Sequence, residues 1–218
     1  MRQDTAATKA RIIAIAEKLF ATKGVENVTL TEINHKAGQK NRSALQYHFG
    51  GKKELIEAII HKHLFCIDED RNKMLDEFEK QRSVSGKDIA RAIVIPLANR
   101  LSAKGGLSYI RITAQLFGDR KFPYLHQDDI ANHFSSERLW KFMRKAGLEL
   151  PEPLLFTRTV VILSTLFNGL ANYAQISEFG KKLPAGVNND LFIQDLVESV
   201  EALLTKQPSA ELRELLEH

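Results

Sequence analysis

The sequence has few of the features that usually announce an activity. One cysteine, Cys66, stands in 218 residues, so no intramolecular disulfide can form and a reducing cytoplasm is the expected compartment. No run of unbroken apolar residues approaches the eighteen or so that a membrane span needs, and the chain reads as soluble. The early apolar stretch "RIIAIAEKLF" is interrupted by Glu17 and Lys18 and lacks a small-residue cleavage site, which makes it an amphipathic helix rather than a secretion signal. No period-two alternation persists, so no sheet is expected. G-x-S-x-G, Walker and dinucleotide fingerprints are missing. Asp128-Asp129 and the acidic run at 68–70 are adjacent positions that diverge on a helix, which suits a solvated face better than paired acid-base work. His61 and His63 also point away from each other on a helix; His63 and Cys66 share a face, but two ligands do not close a zinc site. The expectation is therefore no metal, no cofactor and no enzyme.

What is present is asymmetry of charge. Residues 1–63 hold eleven Lys or Arg against six Asp or Glu, whereas residues 64–218 hold twenty against twenty-one. A basic front on a neutral body suggests that one end meets a polyanion, the plain alternative being chance clustering on a solvated face. Helical periodicity fills the rest. Ile12, Ile15, Ala16, Leu19 and Phe20 form one face of a first helix over 5–23, with Gly24 as its stop. Thr29 and Glu32 have capping-box spacing for a short helix at 30–36, ended by Ala37 and Gly38. A third piece begins at Lys40 or Asn41 and closes before Gly50-Gly51, and a long fourth helix follows, unbroken for nearly thirty residues. Ser85 with Asp88 opens another helix that Pro96 should bend or interrupt. Further helices are expected at 107–118, 128–147 and from Pro151 onward, then near 190–206, with a weakly ordered tail after Pro208 and a final "LEH" that resembles a tag remnant.

Two short helices joined by a glycine turn make a helix-turn-helix, whose second helix enters the major groove. That pattern alone is weak, but the chemistry of the third helix strengthens it. Lys40, Asn41, Arg42, Ser43 and Gln46 offer donors and acceptors suited to base edges and phosphates, while Leu45 faces inward. Lys52 and Lys53 begin the fourth helix, where free N–H groups already favour an anion. Tyr47 and His48 either donate to phosphates from the exposed end of the third helix or serve structure, Tyr47 against the first helix and His48 in a cap. Phe49 is assigned to the core with Leu19, Leu45 and Leu55.

Here the sequence resembles the tetracycline-repressor (TetR) family of transcription regulators. The family pattern A-G-V-S-x-G-x-L-Y-x-H-F-x-x-K-x-x-L is matched by Ala37, Gly38, Leu45, His48, Phe49, Lys52 and Leu55, and a T-x-x-x-I element by Thr29 through Ile33. The likeness spans about residues 8–60. Two departures stand out: "QKNRSA" is one residue longer than the common form, and Gln46 replaces the first tyrosine, whose phosphate contact can pass to Tyr47. The resemblance implies an all-α protein, a three-helix helix-turn-helix head followed by a helical ligand-binding and dimerisation domain, divided as 1–52, 53–206 and a tail at 207–218. It implies DNA binding through Thr29, Thr31, Lys40, Asn41, Arg42, Ser43, Gln46, Tyr47, His48 and Lys52.

Residues 154–170 are apolar nearly all round, and 191–204 carry a broad apolar face through Leu191, Phe192, Leu196, Val197, Val200, Leu203 and Leu204. Pairing both helices with their two-fold mates gives a homodimer, and two recognition helices about 34 Å apart would read a palindromic operator. A single monomer core is the alternative. Tyr109, Arg111, Gln115, Phe117, His133 and Trp140 describe an effector pocket, or equally an ordinary core. The leading expectation is a cytoplasmic homodimeric repressor released by a small molecule. Its rivals are an all-helical small-molecule-binding protein or enzyme with a merely structural N-terminal bundle, and an architectural DNA binder without a ligand.

Overall fold

The computed structural model describes residues 2–39, 44–117, 137–178 and 183–216. Its helices are α1 (Arg2–Lys23), α2 (Leu30–Lys36), α3 (Ala44–Phe49), α4 (Lys52–Glu79), α5 (Gly86–Ala98), α6 (Gly106–Phe117), α7 (Glu137–Lys145), α8 (Glu152–Glu178), α9 (Asn189–Thr205) and α10 (Ala210–Leu216). Among the described residues there is no strand, and the fold is all-α. Packing divides the chain into two units, Met1–Cys66 with Arg100–Tyr124 and Ile67–Asn99 with Leu125–His218. This division falls elsewhere than the expected division by role at residue 52: the first unit takes in α6, because α6 packs along α1.

In the first unit, Ile12, Ala16, Leu19 and Phe20 of α1 are buried together with Ile33 of α2, Leu45 of α3 and Leu55, Ile56 and Ile59 of α4. Spacings of three and four residues put these side chains on single helical stripes, and the stripes meet. The face expected of α1 is thus the buried one, although the helix begins at Arg2, ahead of the expected residue 5.

In the second unit, α5 opens on a complete capping box, with Ser85 Oγ accepting from Asp88 N at 3.2 Å and Asp88 Oδ2 accepting from Ser85 N at 2.8 Å. Pro96 does not interrupt α5, which runs on to Ala98 and tightens into a 3-10 turn at Asn99–Leu101. Proline removes the donor that the carbonyl four residues earlier would receive. Here that carbonyl belongs to Ala92, and the buried Arg71 of α4 supplies the missing donor, Nε to Ala92 O at 3.1 Å, while its Nη1 meets Asp68 Oδ1 at 3.0 Å.

α9 packs against α5 and α8, burying Leu196, Val197, Val200 and Leu204. Most of the apolar face expected to meet a second copy is therefore covered within the chain, and Leu191 is its exposed large member. Arg158 of α8 closes the C-terminal end of α9, donating to the carbonyls of Leu204 and Lys206. Those are among the acceptors that a helix end leaves without intrahelical partners. α8 itself exposes Phe156, Val160, Val161 and Ile176. Contrary to expectation, α8 is long and apolar enough to cross a membrane by length and composition, because Arg158 is the lone charge between its terminal glutamates. The tail beyond Pro208, expected to be weakly ordered, forms α10, with Ser209 Oγ accepting from Leu212 N at 3.3 Å, and none of its residues is buried. The first part of the helix expected at 128–147 lies outside the described residues.

Candidate nucleic-acid interface

The helix-turn-helix is built by caps at both ends of α2. Thr29 adopts an extended conformation, and its Oγ1 accepts from Glu32 N at 3.2 Å. The reciprocal half of the expected capping box is absent, because the Glu32 carboxylate turns instead to Lys23 Nζ at 2.6 Å. A full positive charge is a stronger partner than a neutral N–H. That hydrogen bond holds the Glu32 carboxyl below the ordinary range and ties α1 to the start of α2. At the other end Gly38 has φ +64, Gly38 N donates to His35 O at 3.0 Å and Gln39 N donates to Asn34 O at 3.0 Å. These are the two bonds of a Schellman motif, which needs a left-handed residue and so favours glycine there. The chain is thereby redirected toward α3.

Lys40, Asn41, Arg42 and Ser43 lie outside the described residues. Of the other expected contacts, Thr29, Thr31, Gln46 and Tyr47 are exposed, Tyr47 to 83%, and His48 is half-buried with its ring edge-on to Tyr47 at 5.2 Å. Leu45 between them is fully buried. α3 thus divides cleanly into an anchor and an outward polar face. Thr29 uses its oxygen as a cap acceptor but keeps its O–H for donation. Lys52 is half-buried at the start of α4, its Nζ 3.4 Å from Glu26 O and 5.8 Å from the centre of the Phe20 ring. The exposed Glu54 folds back over Gly51, so close that a Cβ there would lie 2.8 Å from Oε2. An anion at this helix start would displace that carboxylate. Lys9 and Lys36 add exposed cations to the same unit. On the sequence they counted only in the overall charge balance, since neither belongs to a recognisable spacing.

Behind this surface sits a buried polar cluster with no sequence signature. Glu17 of α1, 4% exposed, accepts from His63 Nε2 at 2.8 Å and from Lys62 Nζ at 2.8 and 2.9 Å, His63 being 2% exposed. Burial pushes the Glu17 carboxyl up, but the hydrogen bonds and charges of His63 and Lys62 outweigh it and hold the group below the ordinary Glu range. An ionised carboxylate only accepts, so His63 Nε2 carries the hydrogen. The ring of Tyr109 stacks on His63 at 4.7 Å.

The expected pocket residues are distributed between the units. Tyr109, Arg111, Gln115 and Phe117 lie on α6 in the first, Trp140 lies half-buried on α7 in the second, and His133 falls outside the described residues. Gln115 reaches the loop before α2, its Oε1 accepting from Val25 N at 2.9 Å. No group of three potential metal ligands occurs among the described residues.

Comparison with known proteins finds a family likeness over this segment of the sequence. Residues 12–59, which contain α2, α3 and the buried stripes of α1 and α4, match the family described as bacterial regulatory proteins, tetR family. Two curated relatives from Pseudomonas putida, the probable HTH-type transcriptional regulator ArpR and the HTH-type transcriptional regulator TtgR, are each 33% identical over 79 residues, covering 34% of this chain. The match spans 37% of the length of each of those relatives. The crystal structure of a probable transcriptional regulatory protein, RHA5900, aligns over 91% of this chain and 100% of its own at 16% identity with a TM-score of 0.52, a likeness of fold. The helix-turn-helix segment of this chain is thus similar to the tetR family of bacterial regulatory proteins.

Proposed function

We propose that this protein is a homodimeric transcriptional regulator that binds a palindromic operator through α3 and the polar residues 41–43 before it, and acts as a repressor released by a small molecule. The observation that carries the reading is the division of α3: Leu45 is buried in the head core while Gln46 and Tyr47 face solvent. Such a helix presents amide and phenol groups to base edges and phosphates without loss of its anchor. Lys52 and the exposed lysines nearby supply the charge that neutralises phosphates. The names of the relatives, both HTH-type transcriptional regulators, accord with this role and with a protein that is not an enzyme.

The exposed Phe156, Val160, Val161 and Ile176 of α8 support a two-fold partner rather than a bilayer, because Arg158 and several hydroxyl and amide side chains punctuate the same helix. α8 therefore takes the larger share of the proposed interface and α9 a smaller one. An effector contacting α6 or Trp140 would act by preferring one of two domain arrangements, with α4, which contributes to both packing units, as the connecting element.

The test is selection of duplexes from a randomised library about two DNA turns long, followed by salt titration of the winners. The expected outcome is enrichment of a palindrome whose affinity falls steeply with salt. Lys52→Ala should weaken all duplexes alike and lower the log–log salt slope by about 1, whereas Gln46→Ala should change sequence preference. No enrichment over the starting library would sink the reading.

A further inference from the structure

We propose that Gln115 of α6 is a positioning residue for DNA recognition: its side-chain amide fixes the loop that delivers α2, and through it α3, to the duplex. The inference rests on the DNA-binding reading above. α1 and α2 are joined by residues 24–29 alone, and that loop is held by side chains from three directions. Val25 and Val28 plug into the head core. Lys52 Nζ meets Glu26 O from the start of α4, and Asn27 Nδ2 caps α1 at Lys23 O, 2.9 Å away.

Gln115 makes the contacts that come from farthest along the chain, ninety residues from the loop. Its Oε1 accepts from Val25 N at 2.9 Å, and its Nε2 lies 3.5 Å from Phe20 O, the carbonyl that also receives Gly24 N at 3.0 Å. One amide therefore engages both the last turn of α1 and the first residue after Gly24. Because a side-chain amide has a donor and an acceptor in fixed relative geometry, it sets the angle between those two backbone groups rather than merely attracting them. α2 packs on α3, and base readout tolerates only small displacements of the reading side chains. Slack at Val25 would leave the apolar stripes of the head packed while loosening the aim of α3.

Gln115→Met keeps the length of the side chain and removes both bonds. In amide hydrogen exchange, the Val25 N–H should lose at least about tenfold protection while amides within α1 keep theirs. Affinity for the wild-type-selected duplex should fall about tenfold, equivalent to roughly 1.4 kcal/mol. The salt slope should be unchanged, because no phosphate contact has been removed. Gln115→Asn, one methylene shorter, should behave in the same way and serves if the Met variant fails to fold. Loss of Val25 protection with affinity within twofold of wild type would show a contact that serves the fold alone and would overturn the proposal, as would retained protection. Failure of the wild-type protein to select any duplex would instead bring down the DNA-binding reading and the proposal together.

Discussion

Replacing Glu17 tests the physics of the head most directly. In Glu17→Ala the imidazole N–H of His63, 2% exposed, loses its acceptor, which costs about 1–3 kcal/mol for a stranded buried donor. Lys62, with its side chain 45% exposed, returns to water and adds little. The lost methylene adds about 0.8 kcal/mol of burial, and relief from burying a carboxylate offsets part of the sum. A net loss of about 2–3 kcal/mol is expected, which for a chain of this size lowers Tm by about 4–12 °C. Glu17→Gln retains an acceptor oxygen and nearly the same volume, and should cost about 1 kcal/mol or less. The sign of the pH dependence follows from the lowered carboxyl. The unfolded chain binds this proton more readily, so the contribution of the ionised group is complete above the ordinary Glu value of 4.5 and is lost as pH falls through the folded value. Thermal unfolding followed by far-ultraviolet circular dichroism, from neutral pH down through the carboxylate range, is the assay. Wild type and Glu17→Gln should converge on the acid side. Glu17→Ala within about 0.5 kcal/mol of wild type, or a wild type to Glu17→Gln difference that widens in acid, would refute the reasoning, since a buried acceptor cannot be removed from a buried donor at so small a cost.

Two further outcomes follow from the second unit. Arg71→Leu should destabilise by about 2–4 kcal/mol through the orphaned Ala92 carbonyl and the lost bond to Asp68, and Pro96→Ala, which restores the missing backbone donor, should recover part of that loss in a double-mutant cycle; additive effects would show that Arg71 and Pro96 are unrelated. In the proposed dimer, Val161→Glu on the exposed face of α8 should shift sedimentation at micromolar concentration from dimer to monomer with helix content unchanged, and an unaltered dimer would place the interface elsewhere.

Helix periods, caps and turns were legible because each depends on residues within four positions of one another. The stripe through Ile12, Ala16, Leu19 and Phe20, the bounds of α2, the long unbroken reach of α4 and the Ser85–Asp88 box all belong to this class. So did the likeness to a family over residues 12–59, whose head pattern is local. Where local rules failed, a distant residue intervened. Glu32 left its capping box for Lys23, and Pro96 stayed inside a helix because Arg71, on the preceding helix, offered the donor it lacks. Likewise, α9 spent its apolar face on α5, from the other end of the second unit.

The chain's local order therefore determined that this protein is helical, basic at its head and equipped with a helix-turn-helix. Only the tertiary structure decided which groups work together: that Glu17 meets His63 and Lys62 inside the head, and that α6 joins it, bringing Gln115 to Val25. The reason is that hydrogen-bond partners between helices are chosen by packing in three dimensions, where separations of forty-five or ninety residues leave no periodic trace in one.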